Sequence, residues 1–168
     1  MNIICFHNPD EEYGFLSNWY ESHFSINGIT YNSMEQYMMY MKALCFNDLE
    51  TGNMILSTND VTEIKSLGRS VKNYNENIWN GVRQVVIYKG LLSKFNQNED
   101  MKKCLLQTGD SFLAECAVKD TIWGIGISMT NPDRLDITKW NGQNLLGYAL
   151  MIVREDIRRK QSIIGIED

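Results

Sequence analysis

The sequence predicts an α+β fold, predominantly helical, forming one domain over residues 1–168 with a small sheet mainly from the N-terminal third. Three observations carry this. The first 31 residues break into short apolar segments separated by turn signals. A capped run without glycine or proline follows from Met34 to about Phe46. Two long segments, 77–96 and 143–160, then repeat apolar residues at steps of three and four.

The elements follow in order. Ile3 to Phe6 is an apolar strand, and Asn8-Pro9-Asp10 is a turn. Phe24 to Tyr31 reads as a hairpin reversing at Asn27-Gly28, a pair that tolerates the positive φ of a tight turn. Asn32 or Ser33 then caps a helix, with Glu35 or Gln36 at the third position of a capping box. A shorter helix over 61–68 ends at Gly68. In 77–96 the stripe Ile78, Val82, Val85, Tyr88, Leu92 and Phe95 marks the face expected to be buried. Asn98 to Leu106 is a further capped helix, Phe112 to Ala117 a strand, and Ile122 to Ser128 a glycine-containing strand or loop. The last helix turns Leu146, Ala149, Leu150, Val153 and Ile157 inward. Strand order is not legible at this level.

Composition narrows the function classes. At 168 residues the chain can bury about two-thirds of its unfolded surface, enough for a full core. Sixteen Lys and Arg against 21 Asp and Glu give a net charge of −5, which argues against extended nucleic-acid binding. No apolar run approaches the ~20 residues of a membrane span, and Met1 to Asn8 lacks the basic and apolar regions of a signal peptide. Cys5, Cys45, Cys104 and Cys116 have no C-x-x-C spacing and only His7 and His23 for company, so neither a metal site nor a disulfide framework is expected. The expectation is a cytoplasmic domain with no membrane partner.

Several residues are candidates for chemistry. Glu35 and Lys42 are seven positions apart, on one helix face and about 10 Å apart along its axis. In an apolar cleft, burial favours a protonated carboxyl and a neutral amine, the states of a general acid and a nucleophile. The same spacing also suits Glu35 as a capping residue and Lys42 as a chain reaching to water. Trp79 and Arg83 form an i,i+4 pair, and Trp123 precedes Gly124 in Trp-Gly-Ile-Gly. Such rings either stack on a planar base or fill the core. Glu115 and Asp120 flank the approach to Trp123, and Asn144 opens the last helix, where free N–H groups suit a phosphate.

Taken together, ordered motifs run along nearly the whole chain. They are Phe15-Leu16-Ser17-Asn18-Trp19, Tyr31-Asn32-Ser33-Met34-Glu35-Gln36-Tyr37 with Lys42-Ala43, and Leu67-Gly68-Arg69. They continue with Lys94-Phe95-x-Gln97-Asn98, Leu106-x-Thr108-Gly109-Asp110, Glu115, and Asp120-x-x-Trp123-Gly124-Ile125-Gly126. Gly142-x-Asn144-x-Leu146-Gly147 and Leu150-Met151-x-x-Arg154 complete the set. From about residue 5 to 158 this pattern resembles the NADAR (NAD- and ADP-ribose-associated), or YbiA-like, family.

The resemblance implies an N-glycosidase that hydrolyses the ribosyl–nitrogen bond of phosphoribosylamino-pyrimidine intermediates of riboflavin biosynthesis. Two alternatives accompany it: a glycohydrolase removing ADP-ribose from guanine in nucleic acid, and a non-catalytic ADP-ribose or nucleotide-binding module. The partner is then a small ribosyl-amine or ADP-ribosyl molecule, and no metal or organic cofactor is implied. By the family motif S-x-E-[HQ]-Y, Glu35 is the essential acid, and Lys42 is implicated in covalent chemistry on the sugar. Trp79 and Trp123 would hold the base, with Glu115, Asp120 and Gly124 around Trp123. Arg83, Arg69 and N–H groups near Asn144 would bind phosphate. Some members have Asp where this chain has Ile125, and His where it has Gln36; Asp120 is the nearby carboxylate here.

Overall fold

The computed structural model describes residues 2–164. In chain order its elements are β1 (Ile3–Phe6), β2 (Phe24–Ile26), β3 (Ile29–Tyr31), α1 (Met34–Cys45), α2 (Leu49–Leu56), α3 (Val61–Arg69), α4 (Glu76–Gln97), α5 (Glu99–Gln107), β4 (Phe112–Glu115) and α6 (Leu145–Ile164). Short 3-10 turns lie at Gly14–Leu16, Pro132–Leu135 and Ile137–Lys139. The fold is α+β and mainly helical, as the sequence predicts. Two compact units are distinguished: Asn18–Asn98 forms one, and the two ends of the chain, up to Ser17 and from Glu99, form the other.

In the central unit, β2 and β3 pair antiparallel with Phe24 opposite Tyr31 and Ile26 opposite Ile29. Asn27 and Gly28 take φ of 53° and 81°, the twist that closes a two-residue hairpin. Helix α1 follows at once and packs against α2, α3 and α4. Each helix has a polar cap: Ser33 for α1, Asp48 for α2, Asp60 for α3 and Asn75 for α4, all accepting from N–H groups of the first turn. Met34, Tyr37 and Met38 are buried on α1, with Phe24 and Tyr31 from the hairpin.

Three features of this unit differ from the sequence expectations or go beyond them. Helix α2 was not expected, because its eight residues include Thr51, Gly52 and Asn53, all poor helix formers; its Asp48 cap and buried Ile55 hold it. Helix α3 does not end at Gly68 but at Arg69, and Gly68 has no left-handed φ. A side chain at Gly68 would run into the thioether of Met39, so the glycine allows α3 to approach α1. The buried face of α4 is also displaced from the apolar stripe. Of that stripe Phe95 is buried as expected, Val82, Tyr88 and Leu92 are half-buried, and Ile78 and Val85 are 52% and 55% exposed, while Trp79, Arg83, Val86, Ile87, Leu91 and Lys94 are buried. Two cations on the inner face made it look less hydrophobic than its neighbour. Gly90 sits on that face, where a Cβ would strike Tyr37 and Met34 of α1.

In the unit built from the chain ends, β1 and β4 are parallel, with Ile3 opposite Phe112 and Phe6 opposite Glu115. The predicted strand over 112–117 thus stops at Glu115, although the Cys116 N–H still donates to the Phe6 carbonyl at 2.8 Å. Residues 122–128, expected as a strand or a loop, form a loop of turns and bends. Helix α6 lies on β4 and buries Leu146, Ala149, Leu150, Val153 and Ile157, the face its spacing predicts. Its Arg154 is buried with them and donates to Thr108 Oγ1 at 2.7 Å and to the Ser111 carbonyl at 3.0 Å. Among the described residues, no helix is long and apolar enough to cross a membrane.

Candidate active site

The start of α1 is assembled by local rules. Ser33 Oγ accepts the Gln36 N–H at 3.2 Å, which makes Ser33 the cap and places Gln36, not Glu35, at the third position. The Gln36 amide is then fully used: Oε1 accepts from Asn32 N–H at 2.9 Å, and Nε2 donates to the carbonyls of Ile55 and Thr58 at 3.1 and 2.9 Å. This cross-brace ties the first turn of α1 to the end of α2. Glu35 occupies the second position, its N–H donating to the Asn18 carbonyl at 2.9 Å. A carboxylate there gains from the positive end of the helix dipole. Glu35 is only 5% exposed, which is unusual for a glutamate that is not the capping residue.

Two turns later, Lys42 does not extend into water. Its Nζ donates to the Gly68 carbonyl at 2.6 Å and lies 4.3 Å from the centre of the Tyr74 ring. Burial lowers the Lys42 pKa, the Arg69 guanidinium lowers it further, and the Glu35 carboxylate opposes both. Glu35, Lys42 and Arg69 therefore form one electrostatic group, built by α1 and the end of α3. Arg69 itself is exposed. Trp79 and Arg83 lie one turn apart on the buried face of α4, in the same unit.

The remaining candidates belong to the other unit and are described within it. Asp120 Oδ1 accepts from the N–H groups of Ile122 and Trp123 at 3.1 and 2.9 Å, so one of its oxygens shapes the loop. Trp123 is half-buried. Gly124 was expected to let backbone approach a ligand, but a Cβ there would lie 2.9 Å from Ala117 Cβ and from the carbonyls of Asp120 and Glu115. The approach it permits is of the chain to itself.

Asn144 also departs from expectation. It is fully buried with φ of 52°; its Oδ1 accepts from Glu115 N–H at 3.1 Å and its Nδ2 donates to the Leu113 carbonyl at 2.8 Å. The N–H groups of Asn144, Leu145 and Leu146 donate to the carbonyls of Gly124, Ile122 and Trp123 at 3.1, 3.1 and 3.2 Å. The donors assigned to a phosphate are thus spent on the preceding loop. Asn144 is a clasp between β4 and α6.

Sequence reasoning gave no role to Asn18 or Tyr74 and placed Gln36 only as one of two candidates for the third capping-box position; all three hold the Glu35–Lys42 face. Gln36 had a signal in the cap spacing. Asn18 and Tyr74 act through long-range contacts that no local pattern announces. Among the described residues, no cluster of His, Cys, Asp and Glu is arranged to hold a metal.

Comparison with known proteins bears on the whole chain. A family model described as NADAR domain matches residues 5–158. An N-glycosidase of Acanthamoeba polyphaga mimivirus is 37% identical over 161 residues, covering 91% of this chain and 95% of the relative. A riboflavin biosynthesis protein of Vibrio vulnificus is 32% identical over 92% of this chain, which spans 38% of that longer protein. The NMR structure of the E. coli protein YbiA superposes with a TM-score of 0.79 at 27% identity, covering 95% of this chain and 87% of that one.

Proposed function

The chain belongs to the NADAR domain family, and we propose that it hydrolyses the ribosyl–nitrogen bond of a phosphoribosylamino-pyrimidine of riboflavin biosynthesis, with Glu35 and Lys42 as its catalytic residues. Its reaction class is hydrolysis of an N-glycosyl bond, in keeping with relatives named N-glycosidase. The observation that carries the residue assignment is the burial of Glu35 on the α1 face where Lys42 feels its charge.

Breaking a ribosyl–nitrogen bond develops positive charge at the sugar C1, and a carboxylate beside that carbon stabilises it. Glu35 takes this part and directs the water that completes hydrolysis. Lys42 acts on the opened sugar. When the ribosylamine ring opens, C1 becomes an imine carbon; the neutral Lys42 amine adds to it, the pyrimidine amine leaves with a proton, and a lysine Schiff base remains. Water adds to that C1, releasing the aldehyde form of ribose 5-phosphate and restoring the amine. The depressed Lys42 pKa supports this role, because it raises the neutral fraction at a given pH.

In this reading Trp79 supplies an aromatic wall and Arg83 and Arg69 favour the phosphate. From the family resemblance, Trp123 recognises the base, with Glu115 and Asp120 shaping its surroundings. Asn144 and Gly124 are left as scaffold.

The test is product release from a panel of substrates. Purified protein is incubated with the phosphoribosylamino-pyrimidines and, separately, with ADP-ribosylated guanine oligonucleotides. Ribose 5-phosphate and free pyrimidine are expected from the first set, at rates that fall roughly 10²- to 10⁴-fold in Glu35→Gln. Release of ADP-ribose alone would move the protein to the nucleic-acid branch, and binding without release would make it a binding module.

A further inference from the structure

A cleft of about 440 Å³ opens in the unit formed by the chain ends, lined by Ile3, Cys5, Phe6, Glu12, Tyr13 and Arg134 among others. No part of the proposed reaction uses it. Cys5 sits at its wall on β1, opposite Ala114 of β4. Cys116 is two residues beyond Ala114 and continues the ladder through its N–H, so its side chain falls on the same sheet face as Ala114. Ala114, Cys116, Ile125 and Ile127 form one apolar cluster, and Cys5 packs against it. The two thiols are neighbours of unequal exposure: Cys5 is half-buried and reached from the cleft, whereas Cys116 is buried. Arg134 brings a guanidinium to the same place, and its Nε is buried without a hydrogen-bond acceptor among the described residues.

We propose that Cys5 is an oxidation site for hydroperoxides, with Arg134 favouring its reactive form and Cys116 resolving the product as an intramolecular disulfide. The Cys5 thiolate attacks the terminal oxygen of the hydroperoxide, forming an S–O bond as the O–O bond breaks. The sulfur is oxidised to a sulfenic acid, and the leaving oxygen takes the proton lost when Cys5 ionised. The Cys116 sulfur then attacks the Cys5 sulfur, forming S–S as S–O breaks, and the departing hydroxide leaves as water with the Cys116 proton. Two thiols and one hydroperoxide give one disulfide, one alcohol (water when the oxidant is hydrogen peroxide) and one water.

The electrostatics favour Cys5 over Cys116 as the thiol that meets the oxidant first. The adjoining Cys116 thiol and then Arg134 bring the Cys5 pKa down to about 7, against the opposing effect of burial. Cys116 is held protonated by the Cys5 thiolate, by burial and by the Glu115 carboxylate, with Arg134 opposing. Allowing for the lower intrinsic nucleophilicity of a more acidic thiol, an acidity of that size is expected to make Cys5 about three- to eight-fold faster near pH 7 than a thiol of ordinary acidity.

The test uses the full reduced chain, whose exposed Cys45 and Cys104 serve as internal competitors. Hydrogen peroxide is added below one equivalent and peptides are mapped by mass spectrometry. The expected product joins the Cys5 and Cys116 peptides with loss of two hydrogens, before Cys45 or Cys104 changes. Cys116→Ser stops at a Cys5 sulfenic acid that dimedone captures, and Arg134→Gln slows Cys5 alkylation by iodoacetamide. In the unsubstituted chain, Cys5 alkylation rises with pH around a midpoint near 7, a readout that needs no variant. Oxidation of Cys45 or Cys104 ahead of Cys5, or a Cys5 disulfide to either of them, overturns the proposal. So does a Cys5 that stays reduced throughout.

Discussion

Lys42 Nζ lies 2.6 Å from the carbonyl oxygen of Gly68, so an amine on α1 is held by the last turn of α3. That contact depends on Gly68 having no side chain, since Met39 fills the space a Cβ needs. It keeps the Lys42 head on the flank of α1 that also carries Glu35, and it brings Arg69 close enough to influence its ionisation. The pairing yields predictions that separate the two residues.

Glu35→Gln preserves size and removes the charge. If Glu35 stabilises the sugar cation, kcat falls roughly 10²- to 10⁴-fold while KM changes little. Steady-state kinetics on the released ribose 5-phosphate checks this, with thermal melting as a control for folding. An unchanged kcat removes Glu35 from the mechanism.

Borohydride added during turnover is expected to trap a sugar on Lys42, seen as one added mass on the peptide that carries it. Lys42→Arg keeps a cation and loses the nucleophile, so it should abolish both trapping and turnover. A variant that still turns over would make Lys42 an electrostatic residue only.

The environment of Lys42 fixes the sign of a pH effect. Arg69 depresses the Lys42 pKa, so Arg69→Gln must raise it. The limb of the kcat/KM profile that reports Lys42 then moves to higher pH. Because Arg69 is exposed, the displacement shrinks as salt is added. A profile that stays put in Arg69→Gln dissociates that limb from Lys42.

Much of this arrangement is legible in the sequence, and the failures have physical causes. The Asn27-Gly28 hairpin, the capped start of α1 and the inward face of α6 follow from rules acting over a few residues. The face of α4 does not, because Arg83 and Lys94 are buried there and defeat a reading based on apolar spacing. Helix α2 rests on Asp48, which caps it and also accepts from Lys72 N–H at 2.8 Å. A contact across 24 residues leaves no local trace. Glu35 and Lys42 were legible as a spacing, yet only the fold shows that Gln36 takes the capping role and frees Glu35 from it. Asn144 shows the opposite error: every helix start offers donors in sequence, and here the chain's own carbonyls claim them.

That reassignment distinguishes Asn144 from Trp123. Asn144→Ala leaves the buried Glu115 N–H and Leu113 carbonyl without partners and puts a Cβ residue at positive φ with no compensating amide. The expected cost is about 2–4 kcal/mol, a fall in melting temperature of roughly 5–15 °C. KM should stay within about two-fold at temperatures where the variant is folded. Trp123→Ala should do the reverse, raising KM with a small change in melting. A large KM defect in folded Asn144→Ala restores it to the binding site.

Lys94 gives the last prediction. It is fully buried on α4, with its ammonium 5.6 Å from the Tyr20 ring centre and 5.4 Å from that of Phe95. Burial pushes its pKa from 10.5 down to about 7. Below about pH 7 both folded and unfolded chains hold the proton, and Lys94 adds no further dependence on pH. Between about 7 and 10.5 the unfolded chain binds more protons than the folded one, so stability rises with pH across that window. One such group contributes a slope of up to about 1.4 kcal/mol per pH unit. Lys94→Met removes this contribution and leaves every other titrating group in place. Urea unfolding of both proteins from about pH 6.5 to 9 should therefore show the parent gaining stability relative to the variant as pH rises. A difference that stays constant over that range means that Lys94 keeps its proton in the folded chain.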